Sequence, residues 1–183
     1  MSWNIHQMSL SYVAEQDRVL MRVSTTDKQE LRFWMTRRFM LNVMPHFDRL
    51  LIEAGERSEP MQSMSQQAKR AVADFHRDEH LESTDFKTPY QADGYRQPLG
   101  AEPLLVTEAQ ITPISAQQIR LRFVESLQAH ENPRFCELNL SPQLGHGLLH
   151  LARQAMRAGE WLAPQDHAAD IADQVAAVNR VLN

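Results

Sequence analysis

The first third of the chain alternates apolar and polar residues with a period of two, which is typical of β-strands with one buried face. The alternation predicts strands at Ile5 to Val13, Arg18 to Val23 and Glu30 to Thr36. Turns are predicted at residues 14–17 and 24–28, where the apolar period is interrupted. Because such short connections join neighbouring antiparallel strands, the pattern predicts an antiparallel meander.

After the third strand the apolar period becomes that of a helix. Thr36 is placed to cap a helix that ends near Gly55, and Pro45 inside the pattern predicts a kink or a break. A second helix is predicted from Pro60 to about His80. Residues 83–102 contain prolines and glycines without any period, which predicts a long surface linker.

The same order of elements returns after this linker. Strands are predicted from Leu104 to Thr112, from Gln117 to Glu125 and from Arg134 to Leu140. Ser141 followed by Pro142 is a strong helix start, because serine caps the first turn and proline suits the first helical position. The second half is therefore also expected to fold as three strands and a helix.

The two halves align without a gap from the third strand into the helix. In this alignment Thr36 lies over Ser141 and Phe39 lies over Leu144. The alignment predicts an internal duplication, although any two strand–helix units share a hydrophobic period, and this alternative stays open.

The predicted fold class is α+β. Tandem βββα units would form an antiparallel sheet of about six strands with the helices packed on one face. The whole chain, residues 1–183, is predicted to be one domain. Its repeats cover residues 1–82 and 103–160, the linker covers residues 83–102, and a last amphipathic helix covers residues 164–182.

Period two sorts the strand residues into two faces. The face expected to lie under the helices comprises Val19, Met21, Val23, Leu31, Phe33, Met35, Ile119, Leu121, Phe123, Cys136, Leu138 and Leu140. The opposite face, here called the arginine face, comprises Arg18, Leu20, Arg22, Arg32, Trp34, Arg120, Arg122 and Phe135, together with Glu30 and Glu137.

The arginine face is the candidate binding surface, and it has three interpretations. It is a solvated sheet face whose arginines pair with nearby glutamates, an interface with a second copy or another protein, or a platform for single-stranded nucleic acid. In the last case bases would stack on the aromatic rings while guanidinium groups meet phosphates. The candidate binding residues are Arg18, Arg22, Arg32, Trp34, Arg120, Arg122 and Phe135.

Two resemblances accompany these patterns. Residues 10–13, 17–18 and 33–38 resemble small proteobacterial proteins of unknown function, which implies a bacterial source and nothing about chemistry. The repeated strands-plus-helix unit resembles the Whirly and PUR-type single-strand-binding folds in architecture alone, and the units of those folds have four strands rather than three. This resemblance implies nucleic-acid binding as an alternative function.

Two histidine pairs are spaced for metal binding. His76, Glu79 and His80 match the H-x-x-E-H pattern and resemble the inverted zinc metallopeptidases, which implies two histidine ligands and a glutamate base. His146 and His150 are also four residues apart, on the predicted polar side of their helix, without an identifiable third ligand. We therefore predict no metal, no cofactor and no catalytic residue, and keep a zinc-dependent hydrolase as a remote alternative.

Composition narrows the class of protein further. Cys136 is the only cysteine, so no intrachain disulfide is expected, and its place on the core face favours a buried thiol over a nucleophile. No apolar run reaches the length of a membrane span, and the first residues carry no secretory pattern, which predicts a cytoplasmic protein. The sequence predicts a non-enzymatic interaction or regulatory module that self-associates through its helices or the arginine face.

Overall fold

The structure is a computed structural model, and it describes residues 3–58, 65, 88–115, 117–128 and 132–162. Its strands and helices are β1 Ile5–Val13, β2 Arg18–Thr25, β3 Glu30–Thr36, α1 Arg37–Ser58, β4 Leu104–Leu105, β5 Glu108–Ser115, β6 Gln118–Glu125, β7 Arg134–Leu140 and α2 Pro142–Ala158. The predicted α+β class is confirmed, with the helices on one side of the strands. The helix predicted at residues 164–182 lies outside the described residues, and so does the helix predicted at Pro60–His80 except for Ser65.

The strands form two sheets rather than one sheet of about six. One has the order β1-β2-β3-β4 and the other the order β5-β6-β7. All neighbours are antiparallel except β3 and β4, which run parallel, with Trp34 paired to Leu105.

The division between the sheets falls at Val106 and Thr107. The N–H of Val106 donates to the carbonyl of Trp34 at 2.9 Å, whereas the N–H of Thr107 donates to the carbonyl of Val124, also at 2.9 Å. The strand predicted from Leu104 to Thr112 therefore changes its pairing partner from β3 to β6. Because alternation along one strand does not depend on which strand it pairs with, the sequence pattern does not show this change.

The second and third strands pair in the same register in both halves. Val19 pairs with Met35 in the first half, and Ile119 pairs with Leu140 in the second. The sequence alignment of the two halves places these pairs over each other. An internal duplication stays a prediction, and it would require this equality of register.

The two helices also begin in the same way. The N–H of Phe39 donates to Thr36 Oγ1 at 3.2 Å, and the N–H of Leu144 donates to Ser141 Oγ at 3.2 Å. A hydroxyl at this position satisfies an N–H group that has no partner within the helix. Pro45 was predicted to cause a kink or a break, and the α1 helix continues through it without a break. The missing N–H of Pro45 would have met the carbonyl of Leu41, a residue on the solvent side where water can replace that bond.

The core lies between the strands and the two helices. All twelve residues predicted to lie under the helices are buried, with at most 3% of their surface exposed. The rings of Phe33 and Phe123, 5.1 Å apart, join the two sheets. The α1 helix contacts β3 and β5, and α2 contacts β1, β6 and β7. Each helix therefore packs on the first strand of the other half.

The contact between the helices is close at Gly145. A Cβ atom at this position would lie 2.6 Å from Leu51 Cδ2 and 3.5 Å from Phe47 Cζ of α1. The absence of a side chain at Gly145 therefore permits the approach of α1 and α2 that closes the core.

Candidate functional site

Residues 88–101 of the predicted linker lie across the arginine face of the first sheet. The guanidinium carbon of Arg22 is 4.6 Å from the centre of the Tyr90 ring, and Arg22 Nε donates to Ser9 Oγ at 3.3 Å. The hydroxyl of Tyr90 donates to Glu30 Oε1 at 3.2 Å. Burial, together with the charge and hydrogen bond of Glu30, raises the pKa of Tyr90 well above its ordinary value. Tyr90 therefore stays a neutral donor that fixes this segment to the sheet.

Arg32 is engaged by the same segment. It donates to Gln97 Oε1 at 2.9 Å and to the carbonyl of Ala101. Nearby, the N–H of Glu30 donates to the carbonyl of Arg96 at 2.8 Å, so the segment is also held by backbone hydrogen bonds. The guanidinium groups of Arg22 and Arg32 are thus already paired within the chain.

Trp34 and Arg18 lie on the other end of the first sheet. Trp34 is directly opposite Leu20 on β2, and Arg18 is opposite Thr36. Both side chains are partly exposed. Trp34 lies two residues beyond Arg32 on β3, and Arg18 lies four residues before Arg22 on β2.

The remaining predicted binding residues lie on the second sheet. Arg122 stacks on Phe135, with its guanidinium carbon 4.2 Å from the ring centre, and its Nη1 is 3.6 Å from Glu137 Oε1. Arg120 is exposed, and 52% of the surface of Phe135 is exposed. The seven predicted binding residues are therefore divided between two sheets, and two of them are covered by residues 88–101.

Of the two predicted histidine pairs, the described residues include His146 and His150. His146 is buried rather than on the polar side of α2 as predicted, because the helix turns this position inward. His150 is half-buried, its Nε2 lies 2.9 Å from Gln154 Nε2, and burial together with Arg157 and Arg153 lowers its pKa.

Among the residues described, no three His, Cys, Asp or Glu side chains are grouped closely enough to hold a metal ion. His76 and His80 lie outside the described residues. Cys136 is buried, and its burial raises the pKa of its thiol to about 12.

A cavity of about 670 Å³ lies beside β1, and we call it the β1 groove. Its floor is six consecutive residues of β1, Ile5 to Leu10. Since β1 is at the end of the strand order and pairs only with β2 among the described strands, its other edge faces this groove. The backbone groups of that edge are not used by the sheet.

The first wall of the β1 groove is a stripe of α2. Leu144, Gly147 and Leu151 line it at intervals of three and four residues, which places them on one face of the helix. Leu144 also packs against the hydrophobic core, whereas Leu151 lies outside the core cluster. Gly147 contributes no side chain to this wall.

The second wall is formed by Thr88 to Gln91 and by Tyr95. It is held in place by the N–H of Gln91, which donates to Gln7 Oε1 at 3.2 Å, and by the bond from Tyr90 to Glu30. The same segment that covers Arg22 and Arg32 thus shapes one side of the groove.

The lining of the β1 groove contains no aspartate, glutamate, lysine or arginine. Its residues are Ile5, His6, Gln7, Met8, Ser9, Leu10, Thr88, Pro89, Tyr90, Gln91, Tyr95, Leu144, Gly147 and Leu151. Aliphatic groups lie toward α2, and amide and hydroxyl groups lie toward residues 88–91. Such a lining suits a neutral ligand with one apolar side and one side that makes hydrogen bonds.

Sequence reasoning did not find this groove, because its walls are distant along the chain. The only local signal was the pair of glycines at positions 145 and 147, which indicated a close approach. Gly145 does lie at the contact with α1, whereas Gly147 lines the groove.

Comparison with models of known protein families, with characterised proteins and with solved structures finds no match to this chain. No helix among the described residues has both the length and the apolar character that a bilayer span requires. The function therefore has to be inferred from the geometry above.

Proposed function

We propose that this protein is a non-enzymatic protein-interaction module that binds an extended segment of another polypeptide in the β1 groove. One observation carries the proposal: a cavity of about 670 Å³ runs along six consecutive residues of an edge strand. Extended peptides commonly bind at such edges, where backbone hydrogen bonds supply affinity and side-chain pockets supply specificity. The single cysteine supports a reducing compartment such as the cytoplasm.

A separate peptide segment suits this edge better than the edge of a second sheet. The stripe of Leu144, Gly147 and Leu151 and the segment 88–91 flank β1 on its two sides. A second copy that approached through its own β1 would bring its own α2 stripe and its own segment 88–91 against those of the first copy. An isolated strand has no such flanks and can enter between the walls. Self-association through the helices or the arginine face, as the sequence predicts, remains compatible with this site.

The direct test is selection of peptides by the full chain. We expect a display library of random twelve-residue peptides to yield binders. Fluorescence anisotropy measures the affinity of each binder for the full chain. Leu151→Gln removes an aliphatic wall group outside the core cluster, so it is expected to weaken binding about tenfold. Leu41→Gln is the matched control, because Leu41 is an exposed helical leucine on α1 and is not among the residues that line the groove.

Two results would contradict the proposal. One is the failure of the library to yield any binder to the folded chain. The other is a set of binders whose affinity changes equally in the Leu151→Gln and Leu41→Gln variants. Circular dichroism and thermal unfolding of both variants confirm that each is folded before binding is compared.

Single-stranded nucleic acid is the second candidate ligand, and one observation favours it. Arg120 and Phe135 are both exposed on the outer face of the second sheet, where Phe135 would stack on a base and Arg120 would contact a phosphate. We expect oligonucleotide binding, if present, to weaken steeply with salt and to be lost in the Phe135→Ala variant. Unchanged binding in Phe135→Ala and in Trp34→Ala would exclude the arginine face as its site.

A further inference from the structure

We infer that the bound segment adds to the first sheet as a fifth strand beside β1, and that it is uncharged with aliphatic side chains at alternate positions. This inference rests on the proposed function, because it specifies the ligand and binding mode of the same groove. It is carried by three features of the groove: an edge of β1 with which no described strand pairs, two walls of different polarity, and a lining without aspartate, glutamate, lysine or arginine.

The edge provides the hydrogen-bonding partners. Among the described strands, β1 is bonded along one edge to β2 and has no strand on the other. The groove follows that free edge over Ile5 to Leu10, which corresponds to roughly 20 Å of extended chain. A peptide of about six residues in extended form matches this length and would pair with the N–H and C=O groups along that edge of β1.

The two walls determine which side chains suit the segment. Met8 and Leu10 are opposite Val23 and Met21 of β2, so they belong to the core side, where α2 supplies Leu151. Side chains on neighbouring paired strands follow the same pleat. Every second residue of an added strand therefore points toward the aliphatic wall.

The remaining residues of the added strand, between those that point toward the aliphatic wall, point to the outer face of the sheet. Gln7 and Ser9 are opposite Ser24 and Arg22 on that face. Gln91 reaches the same side through its bond to Gln7 Oε1. Small polar side chains, which exchange hydrogen bonds with amide and hydroxyl groups, suit these positions.

The lining also selects against charge. It contains no aspartate, glutamate, lysine or arginine, and Arg22 is already held by Ser9 and by the Tyr90 ring. A charged side chain that is moved from water into such a groove loses hydration without gaining an ion-pair partner. A lysine or glutamate in the bound segment is therefore expected to weaken binding at either set of positions.

The test uses three pools of acetylated and amidated seven-residue peptides and the full chain. The alternating pool has Val, Ile, Leu or Met at odd positions and Ser, Thr, Asn or Gln at even positions. The blocked pool has the same composition with its aliphatic residues consecutive. The charged pool replaces the even positions of the alternating pool with Lys or Glu. We expect the full chain to retain the alternating pool more strongly than the blocked pool or the charged pool.

A second measurement tests strand addition itself. Each backbone nitrogen of the tightest alternating peptide is methylated in turn. Because only every second N–H of a strand points to one neighbour, methylation is expected to weaken binding about tenfold at alternate positions and much less at the others.

The outcomes separate this inference from the proposed function. Binding that is equal for the alternating and blocked pools, or insensitive to N-methylation, overturns strand addition while leaving peptide binding in place. Equal retention of the charged pool overturns the uncharged class. Failure of every pool and of the random library overturns both. A dimer in sedimentation equilibrium that Leu151→Gln dissociates, with no peptide bound, replaces the peptide by a second copy of this chain.

Discussion

Asp17 links the turn after β1 to the end of α2. Its Oδ1 accepts hydrogen bonds from the Tyr12 hydroxyl and from Trp161 Nε1, each at 3.0 Å. Its φ of 48° lies in the left-handed region, which aspartate and asparagine tolerate better than most residues. The indole of Trp161 is 4% exposed, so its N–H depends on this partner. One side chain thereby holds together residues 144 positions apart.

Asp17→Ala is expected to lower the free energy of unfolding by roughly 1–3 kcal/mol, because it leaves the buried N–H of Trp161 without an acceptor. Asp17→Asn keeps an acceptor oxygen and a tolerated backbone conformation, so its loss should be smaller. Urea unfolding followed by tryptophan fluorescence measures both. Equal losses in the two variants would show that Oδ1 does not hold Trp161.

Cys136 gives the folded protein a defined response to high pH. Burial raises the pKa of its thiol from 9.0 to about 12, so the folded chain keeps the proton in a range where the unfolded chain releases it. The resulting stabilisation is fully present below pH 9 and is lost as the pH rises toward 12. We expect the free energy of unfolding to fall less steeply over this window in Cys136→Ala than in the unaltered chain. The same slope in both proteins would contradict the burial of the thiol.

At the scale of elements, the contact between α1 and α2 depends on Gly145. Replacement of a helical glycine by alanine ordinarily stabilises a protein by about 0.5–1 kcal/mol. Here the new Cβ would lie 2.6 Å from Leu51 Cδ2, and Leu51 is 2% exposed, so that side chain would have to shift within the core. The packing cost is therefore expected to exceed the gain in helix propensity.

We predict that Gly145→Ala destabilises the unaltered chain and stabilises the Leu51→Ala variant, in which the opposing side chain has been removed. Thermal unfolding of the four proteins gives the coupling free energy between the two positions. An effect of Gly145→Ala that is the same in both backgrounds would show that Leu51 does not limit the approach of the helices.

Local patterns predicted the elements well wherever the signal lies within one segment. The bounds of β1, β3 and β7 agree with the alternation of their own residues, and the cap of α2 agrees with the Ser141-Pro142 pair. The core face was also predicted, because the period of a strand decides which residues share a side.

The features that depend on distant residues could not be predicted. Nothing in residues 104–112 shows that the strand changes partner at Val106, since both partners present equivalent backbone groups. Nor does the irregular composition of residues 88–101 show that Tyr90 and Gln97 pair with Arg22 and Arg32. These contacts cover part of the arginine face and form a wall of the β1 groove.

At the scale of the whole molecule, both halves contribute to the groove. The first half supplies the edge strand, the second half supplies α2, and the segment between them supplies the remaining wall. Neither strand–helix unit alone would form it. The proposed binding site is therefore a property of the joined halves, whether or not they arose by duplication.

Hydrogen exchange of the β1 amides, measured by NMR with and without the tightest alternating peptide, shows whether the peptide pairs with the edge of β1. Strand addition predicts slower exchange at alternate amides between Ile5 and Leu10 when the peptide is bound, because those groups then donate to the added strand. Unchanged exchange along β1 at saturating peptide, or protection confined to β6 and β7, would contradict it.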